Sequence, residues 1–364
     1  MGYFTQEGLK NLKSYQYKSS PSTTFMSFLN FVLWEPLVRI TPSFVAPNLI
    51  TLVSSLCIAG ATAYILMFNK LDLSEQAPRH APLVAAVGLF LYNTLDNIDG
   101  KQARKLRVSS PLGQLMDHGL DSSVNTCALA LLIGLCLDMR HSGATMLLLI
   151  FMQSCFFYAT WEEYHTGVLR IQIANMGVDE AAYFCIASFV GTYFYGYELW
   201  ETLIWGMELK YWYVALLGLI YLWTLPNFIG TVILHENSVA PVVELIPIGQ
   251  IYLGMLLFYL SETYEAYTLL ILLSSCGILG VVSCSIIICS SGKMSFQYCR
   301  VDTSLFLMFG VVAFLGGSSA SSMWLWIAFC ATELLYMFYF LISAATEISQ
   351  GLNIGIFATK IKSK

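Results

Sequence analysis

Four aspartates, two glycines, an alanine and an arginine between positions 96 and 121 carry the first readable chemistry of this chain. On a helix, Asp96, Asp99, Gly100 and Ala103 stand at i, i+3, i+4 and i+7, so two carboxylates and two small residues share one face. Beyond the bend at "KLRVSSP", Ser110 is placed to cap a new helix, and Pro111 suits its first position. Gly113, Asp117 and Asp121 then recur every four residues, which makes a second acidic face. Carboxylates converging in an apolar setting repel one another unless cations neutralise them. All-oxygen donors, with no His or Cys at the spaced positions, point to Mg2+, Mn2+ or Ca2+ rather than zinc. Two such ions about 3.5–4 Å apart would suit phosphoryl chemistry. Gly100 and Gly113 allow close approach of a phosphorylated ligand, and Arg104 is placed to grip a phosphate. A lone intramembrane acid is as often an ion-path or paired structural charge. Four of them at fixed helical spacing, with the glycines and the arginine, favour a site.

The elements that must hold these residues are membrane helices. The chain has 364 residues, 57% hydrophobic and 11% charged, and breaks into repeated apolar runs of about 20 residues, the length that crosses a bilayer. Ten spans are expected, near 49–68, 81–98, 112–137, 143–164, 179–198, 212–234, 239–260, 266–289, 302–322 and 323–346. The expected fold is therefore an all-α integral membrane protein. Residues 1–44 read as a cytosolic N-terminus with an interfacial helix, 45–236 as a catalytic unit of six spans, 237–350 as a supporting bundle of four, and 351–364 as a basic tail. Lys10, Lys13 and Lys18 precede no apolar core, so no cleavable signal peptide is expected and the first span serves for targeting. The segment from Thr24 to Ile40, broken by Glu35 and Pro36, is expected to lie on the membrane surface with Trp34 at the interface. Ten spans put the N-terminal lysines, Lys101, Arg104, Lys105, Arg107, Arg170, Lys293, Arg300 and the C-terminal lysines on one side, the cytosolic one by the positive-inside rule. Lys70, Arg79, Arg140 and Lys210 fall opposite. Most of the ten cysteines lie within apolar spans and none forms a CxxC pair, so they read as packing residues.

The pattern D-x2-D-G-x2-A-R-x8-G-x3-D-x3-D, matched in full, resembles the signature of the CDP-alcohol phosphotransferases. "DGKQAR", "SSPLG" and "DHGLDS" are similar more narrowly to the eukaryotic choline and ethanolamine phosphotransferases, and "APNLITL" and "ATWEEYHTG" extend the likeness through the first half. The resemblance implies transfer of phosphoethanolamine or phosphocholine from CDP-ethanolamine or CDP-choline to diacylglycerol, with release of CMP. It implies Mg2+ or Mn2+, two ions, on Asp96, Asp99, Asp117 and Asp121, and donor contacts from Asn48, Gly100, Arg104 and Gly113. Glu180 is expected either to face the aminoalcohol ammonium or to be a solvated helix-start residue, and Trp161, Tyr164 and Tyr92 are candidates for a cation cage. His165 and His235 read as surface residues.

For the base that deprotonates the acceptor hydroxyl, the candidates are His118 and Asp121. A metal-bound carboxylate has its lone pairs committed, whereas an imidazole titrates near neutral pH, so His118 is expected to be the base. Gln114 stands where the subgroup commonly has Glu, and is expected to be an orienting amide beside His118. The choice of choline or ethanolamine is not legible, although "DHGLDS" leans toward ethanolamine or dual use. The expected setting is the endoplasmic reticulum membrane, with the Golgi as second compartment, a cytosolic site, a homodimer and no nucleic-acid partner. The terminal "KIKSK" looks like a retrieval signal. Two other readings compete: a divalent-cation transporter that uses the acids as a transit site, and a weakly active scaffold.

Overall fold

Apolar runs bounded by Pro, Ser and Gly fold into helices that satisfy their own backbone, as a bilayer demands. The computed structural model describes residues 2–15, 17–18, 23–170, 172–173, 176–316 and 323–360. In chain order its helices are α1 (Gln6–Asn11), α2 (Thr24–Leu29), α3 (Glu35–Ile40), α4 (Pro47–Leu66), α5 (Ala81–Leu106), α6 (Pro111–Leu120), α7 (Thr126–Cys136), α8 (Gly143–Thr166), α9 (Val178–Tyr195), α10 (Leu209–Glu236), α11 (Ile246–Tyr259), α12 (Glu262–Gly292), α13 (Val301–Gly316) and α14 (Met323–Leu352). Two short antiparallel hairpins, Gln172–Ile173 with Met176–Gly177 and Leu203–Ile204 with Met207–Glu208, are the strands among the described residues.

Helices stand at all ten expected span positions, and eight are long and apolar enough to cross a bilayer. The protein is a multi-pass membrane protein. α9 opens with Asp179 and Glu180, which lowers its apolarity, and α13 has 16 described residues, the rest of the expected span 302–322 lying outside them. α6 and α7 form one span, Pro111–Cys136, joined through a π-helical turn at Asp121–Asn125. α12 is the most enclosed span, 89% of its apolar window being buried. One acid is buried within the last span, Glu333 of α14, which is 7% exposed and packs on Gly277.

α4 and α5 meet through small residues. A Cβ added at Gly88 would lie 2.4 Å from Ala61 Cβ and 3.1 Å from the Cys57 carbonyl oxygen, so only glycine lets the helices approach this closely. Gly88→Val is therefore expected to destabilise the detergent-solubilised protein by about 1–3 kcal/mol, seen as a lower apparent melting temperature. An unchanged transition would contradict this packing.

The segment from Thr24 to Ile40 forms α2, a π-helical turn at Asn30–Trp34 and α3, with Phe28, Phe31 and Ile40 exposed as a surface helix requires. Trp34 departs from expectation. It is 1% exposed, packed with Val38, Ile50 and Ile98, and lies under the Lys101 ammonium at 5.7 Å. An indole buried among residues of α3, α4 and α5 is a packing anchor rather than an interfacial belt residue. All four basic residues on the minority side are bonded, Arg79 donating to the Tyr193 and Phe194 carbonyls at 3.3 and 2.8 Å. Lys70 pairs with Glu75, and Arg140 and Lys210 both approach buried Asp138.

Both chain ends return to one end of the bundle. Tyr3 and Phe4 N–H donate to Glu347 of α14 at 2.7 and 3.1 Å, and Asn48 Nδ2 donates to the Ile356 carbonyl at 2.7 Å. The "KIKSK" expectation falls on residues 360–364, all but the first of which lie outside the described residues.

Candidate metal and phosphate site

α5 ends with Arg107 in the left-handed region, at φ 58°, and the chain turns back at once. Ser110 is extended and its Oγ accepts from Gly113 N–H, with Pro111 in the first turn, so the expected cap forms. This short return sets the last turns of α5 beside the first turns of α6. The N-terminal turn of α4 and the two chain ends complete a cavity of about 490 Å³ there.

Asp99 and Asp117 line the cavity, and one carboxylate oxygen from each of Asp96, Asp99 and Asp117 lies within 4.8 Å of the others. Asp99 is buried and accepts from Thr51 Oγ1. Asp96 Oδ1 and Asp117 Oδ1 are buried with no hydrogen-bond partner. Buried anionic oxygens left without donors are costly, and this donor set matches what a hard divalent cation takes. Asp121 does not join the trio. Four-residue steps on a helix advance by about 40° beyond a full turn, which carries Asp121 aside from Asp117. Its Oδ1 accepts from Tyr92 OH and Asn125 Nδ2, each at 2.8 Å, at the start of the π-helical turn.

Gly100, Gly113, Asn48 and Arg104 all line the cavity. A Cβ at Gly100 would meet only Arg104 Nη1 at 3.6 Å, and one at Gly113 only Asn48 Oδ1 at 3.6 Å. The protein itself has room for a side chain at both places, so the glycines leave the backbone of the cavity wall open to close approach. The Arg104 side chain makes no hydrogen bond or ion pair among the described residues, so its planar donor fork is uncommitted. Arg104→Lys replaces that fork with a point charge and is expected to weaken nucleotide binding about tenfold. Titration of the purified protein with CMP or a CDP-alcohol checks this, and an unchanged affinity would remove Arg104 from the site.

His118 also lines the cavity and is 7% exposed. Its Nε2 lies 3.8 Å from Asp117 Oδ2, and its Nδ1 has no partner. Tyr17 and Phe156 meet the ring edge-on, with centroids 5.7 and 6.1 Å away. Gln114, expected to orient His118, instead donates from Nε2 to Glu163 Oε1 at 2.8 Å.

Several other expectations fall elsewhere. Glu180 accepts from Gly177 N–H at 2.9 Å and from Thr23 Oγ1, so it caps α9 away from the cavity lining. The cage candidates are engaged too. Trp161 Nε1 donates to Glu244, Tyr164 OH to the Met294 carbonyl and Tyr92 OH to Asp121, and none of the three lines the cavity. His165 is enclosed rather than superficial, between Glu236 at 3.2 Å and Glu244 at 2.8 Å, whereas His235 has half of its side chain exposed. The cavity residues that sequence reasoning missed include Thr51, Tyr15, Tyr17, Ile354, Gly355, Ile356 and Ala358. The aromatic pair in "SYQYK" was the available signal.

A family model described as CDP-alcohol phosphatidyltransferase matches residues 44–243. The chain is 33% identical over 240 residues to an uncharacterized CDP-alcohol phosphatidyltransferase class-I family protein 3 of Dictyostelium discoideum, covering 65% of this chain and 57% of that protein. Similarity to choline/ethanolaminephosphotransferase 1 of Saccharomyces cerevisiae is 32% over 204 residues, 56% of this chain and 51% of the yeast protein. The chain thus spans about half the length of these two relatives. Against cholinephosphotransferase 1 of Rattus norvegicus it is 28% identical over 369 residues, 96% of this chain and 90% of the rat protein.

Proposed function

Because the chain belongs to the CDP-alcohol phosphatidyltransferase family, we propose that it transfers phosphoethanolamine or phosphocholine from the CDP-alcohol to the hydroxyl of diacylglycerol, releasing CMP and forming phosphatidylethanolamine or phosphatidylcholine. One observation carries this reading. A cavity at one end of a membrane bundle is lined by Asp99 and Asp117, which Asp96 closely approaches, by an arginine with an uncommitted side chain, two open glycines and a buried histidine. A water-soluble nucleotide reaches such a cavity from the aqueous side, and a lipid acceptor arrives from the bilayer. The relatives named cholinephosphotransferase and choline/ethanolaminephosphotransferase support the choice of donor.

Asp96, Asp99 and Asp117, with the remaining oxygen of Asp121, are the residues that would hold Mg2+ or Mn2+, two ions in our reading. Bound there, the metal neutralises charge on the diphosphate of the donor. Thr51 holds the Asp99 carboxylate in place. Arg104 aligns a phosphate over the open faces of Gly100 and Gly113, while Asn48 closes the nucleotide side. With Nε2–H turned toward Asp117, the lone pair of His118 Nδ1 is free to take the proton from the acceptor hydroxyl. The acceptor oxygen bonds to the alcohol-bearing phosphorus as the bond from that phosphorus to the CMP oxygen breaks, and Asp117 stabilises the imidazolium that results.

Residues 45–236 form the catalytic unit in this account and 237–350 its support. In this reading the basic residues near the cavity support a cytosolic face by the positive-inside rule, and the membrane is that of the endoplasmic reticulum. The test is a membrane assay with labelled CDP-ethanolamine and CDP-choline, diacylglycerol and Mg2+. Labelled phospholipid is the expected product, and its absence with both donors from correctly inserted protein would contradict the proposal.

A further inference from the structure

One wall of the cavity comes from residues that precede every membrane helix, Tyr15 and Tyr17. Tyr15 OH donates to Glu163 Oε1 at 3.0 Å, and Gln114 donates to the same oxygen at 2.8 Å. Glu163 is 3% exposed and has no Lys, Arg or His within ion-pair reach among the described residues. Its neighbour Glu162 is different, being neutralised by Arg170, which donates from Nε at 2.9 Å. A buried carboxylate served only by neutral donors is costly, and a cation brought close relieves that cost. Burial, and then the charge of Glu163, push the Tyr15 phenol upward, so Tyr15 stays a protonated donor. Tyr17 stands edge-on to His118 and Gln114 lies one turn before it, so this wall adjoins the place where the acceptor meets the alcohol-bearing phosphate.

We propose that Tyr15 and Tyr17, backed by the Glu163 carboxylate, form the subsite for the cationic head of the donor's alcohol. The identity of the donor rests on the transferase reading above. Aromatic faces attract ammonium and quaternary ammonium groups, and a buried negative charge behind them adds to the attraction. Glu163 is a positioning residue here, because it does not line the cavity and acts through Tyr15 and Gln114.

The test compares, in Mg2+ buffer, the affinity of the purified full chain for CDP-choline with that for the CDP ester of 3,3-dimethylbutanol, which has the same shape with carbon in place of nitrogen. CMP serves as the folding control. Wild type is expected to prefer the cationic donor about tenfold. Tyr17→Leu and Glu163→Gln should each remove most of that preference while CMP affinity is retained. Tyr15→Phe, which keeps the ring but loses the bond to Glu163, carries the test if Glu163→Gln loses CMP binding. Equal binding of the two donors by wild type, or an undiminished preference in variants that still bind CMP, would overturn the subsite. A binding preference without phospholipid synthesis keeps the subsite and removes the transferase reading. Phospholipid synthesis without the preference does the reverse.

Discussion

Asp117→Asn, and likewise Asp96→Asn and Asp99→Asn, is expected to abolish turnover while leaving insertion intact and, in chelator, raising stability. The two effects share one cause. Three carboxylate oxygens lie within 4.8 Å of each other, and Asp96 Oδ1 and Asp117 Oδ1 are buried without a donor. An amide at any of these positions removes one repelling charge and can donate to a neighbouring carboxylate, so the metal-free protein gains what the cluster costs. The same change removes charge that a divalent cation needs, and electrostatic groups of this kind are commonly worth about 10²–10³ in rate each. Wild type should therefore melt at a higher temperature when Mg2+ replaces chelator, and the variants should lose most of that response. A well-inserted variant that keeps more than about a tenth of wild-type activity would argue against a shared metal site, since loss of a single electrostatic group typically exceeds that.

His118→Ala is expected to lower the maximal rate by about 10²–10⁴-fold, the usual contribution of a general base, while donor binding persists. The imidazole fits that role because Nδ1 is unpaired in the cavity wall and Nε2 faces Asp117 at 3.8 Å. Asp121 is the weaker candidate, since Tyr92 and Asn125 already occupy one of its oxygens. Turnover measured at saturating donor and acceptor, beside the donor affinity, separates a lost base from lost binding. Near-normal turnover would return the role to Asp121 or to water.

The helices and the acidic motif were legible because each depends on near neighbours in the chain. Apolar runs fixed the order and ends of the spans to within a turn or so at most positions, and "SSP" marked a helix start that forms as expected. The closing of the cavity was not legible, because it joins residues 308 positions apart, Asn48 with Ile356. Local pattern misled at Trp34, where an aromatic beside a membrane segment suits the interface and a packing slot equally well until α4 and α5 are in place. At Asp121 an even spacing of four hid the drift of the helix face. Glu162 and Glu163, adjacent in sequence, point about 100° apart on α8, so one meets Arg170 and the other Gln114. The departure at Gln114 thus has a structural setting, an amide bonded to a carboxylate from another helix, that its position in the motif did not disclose.

The central claim, that the aspartate cavity is a transferase site rather than a cation path, is tested most directly by stoichiometry in reconstituted vesicles. Purified chain, labelled CDP-choline or CDP-ethanolamine, diacylglycerol and Mg2+ should yield one CMP for each phospholipid formed, with neither product when diacylglycerol is omitted or when Asp117→Asn is used. Passage of the divalent cation across the vesicle membrane with no CMP released would contradict the account.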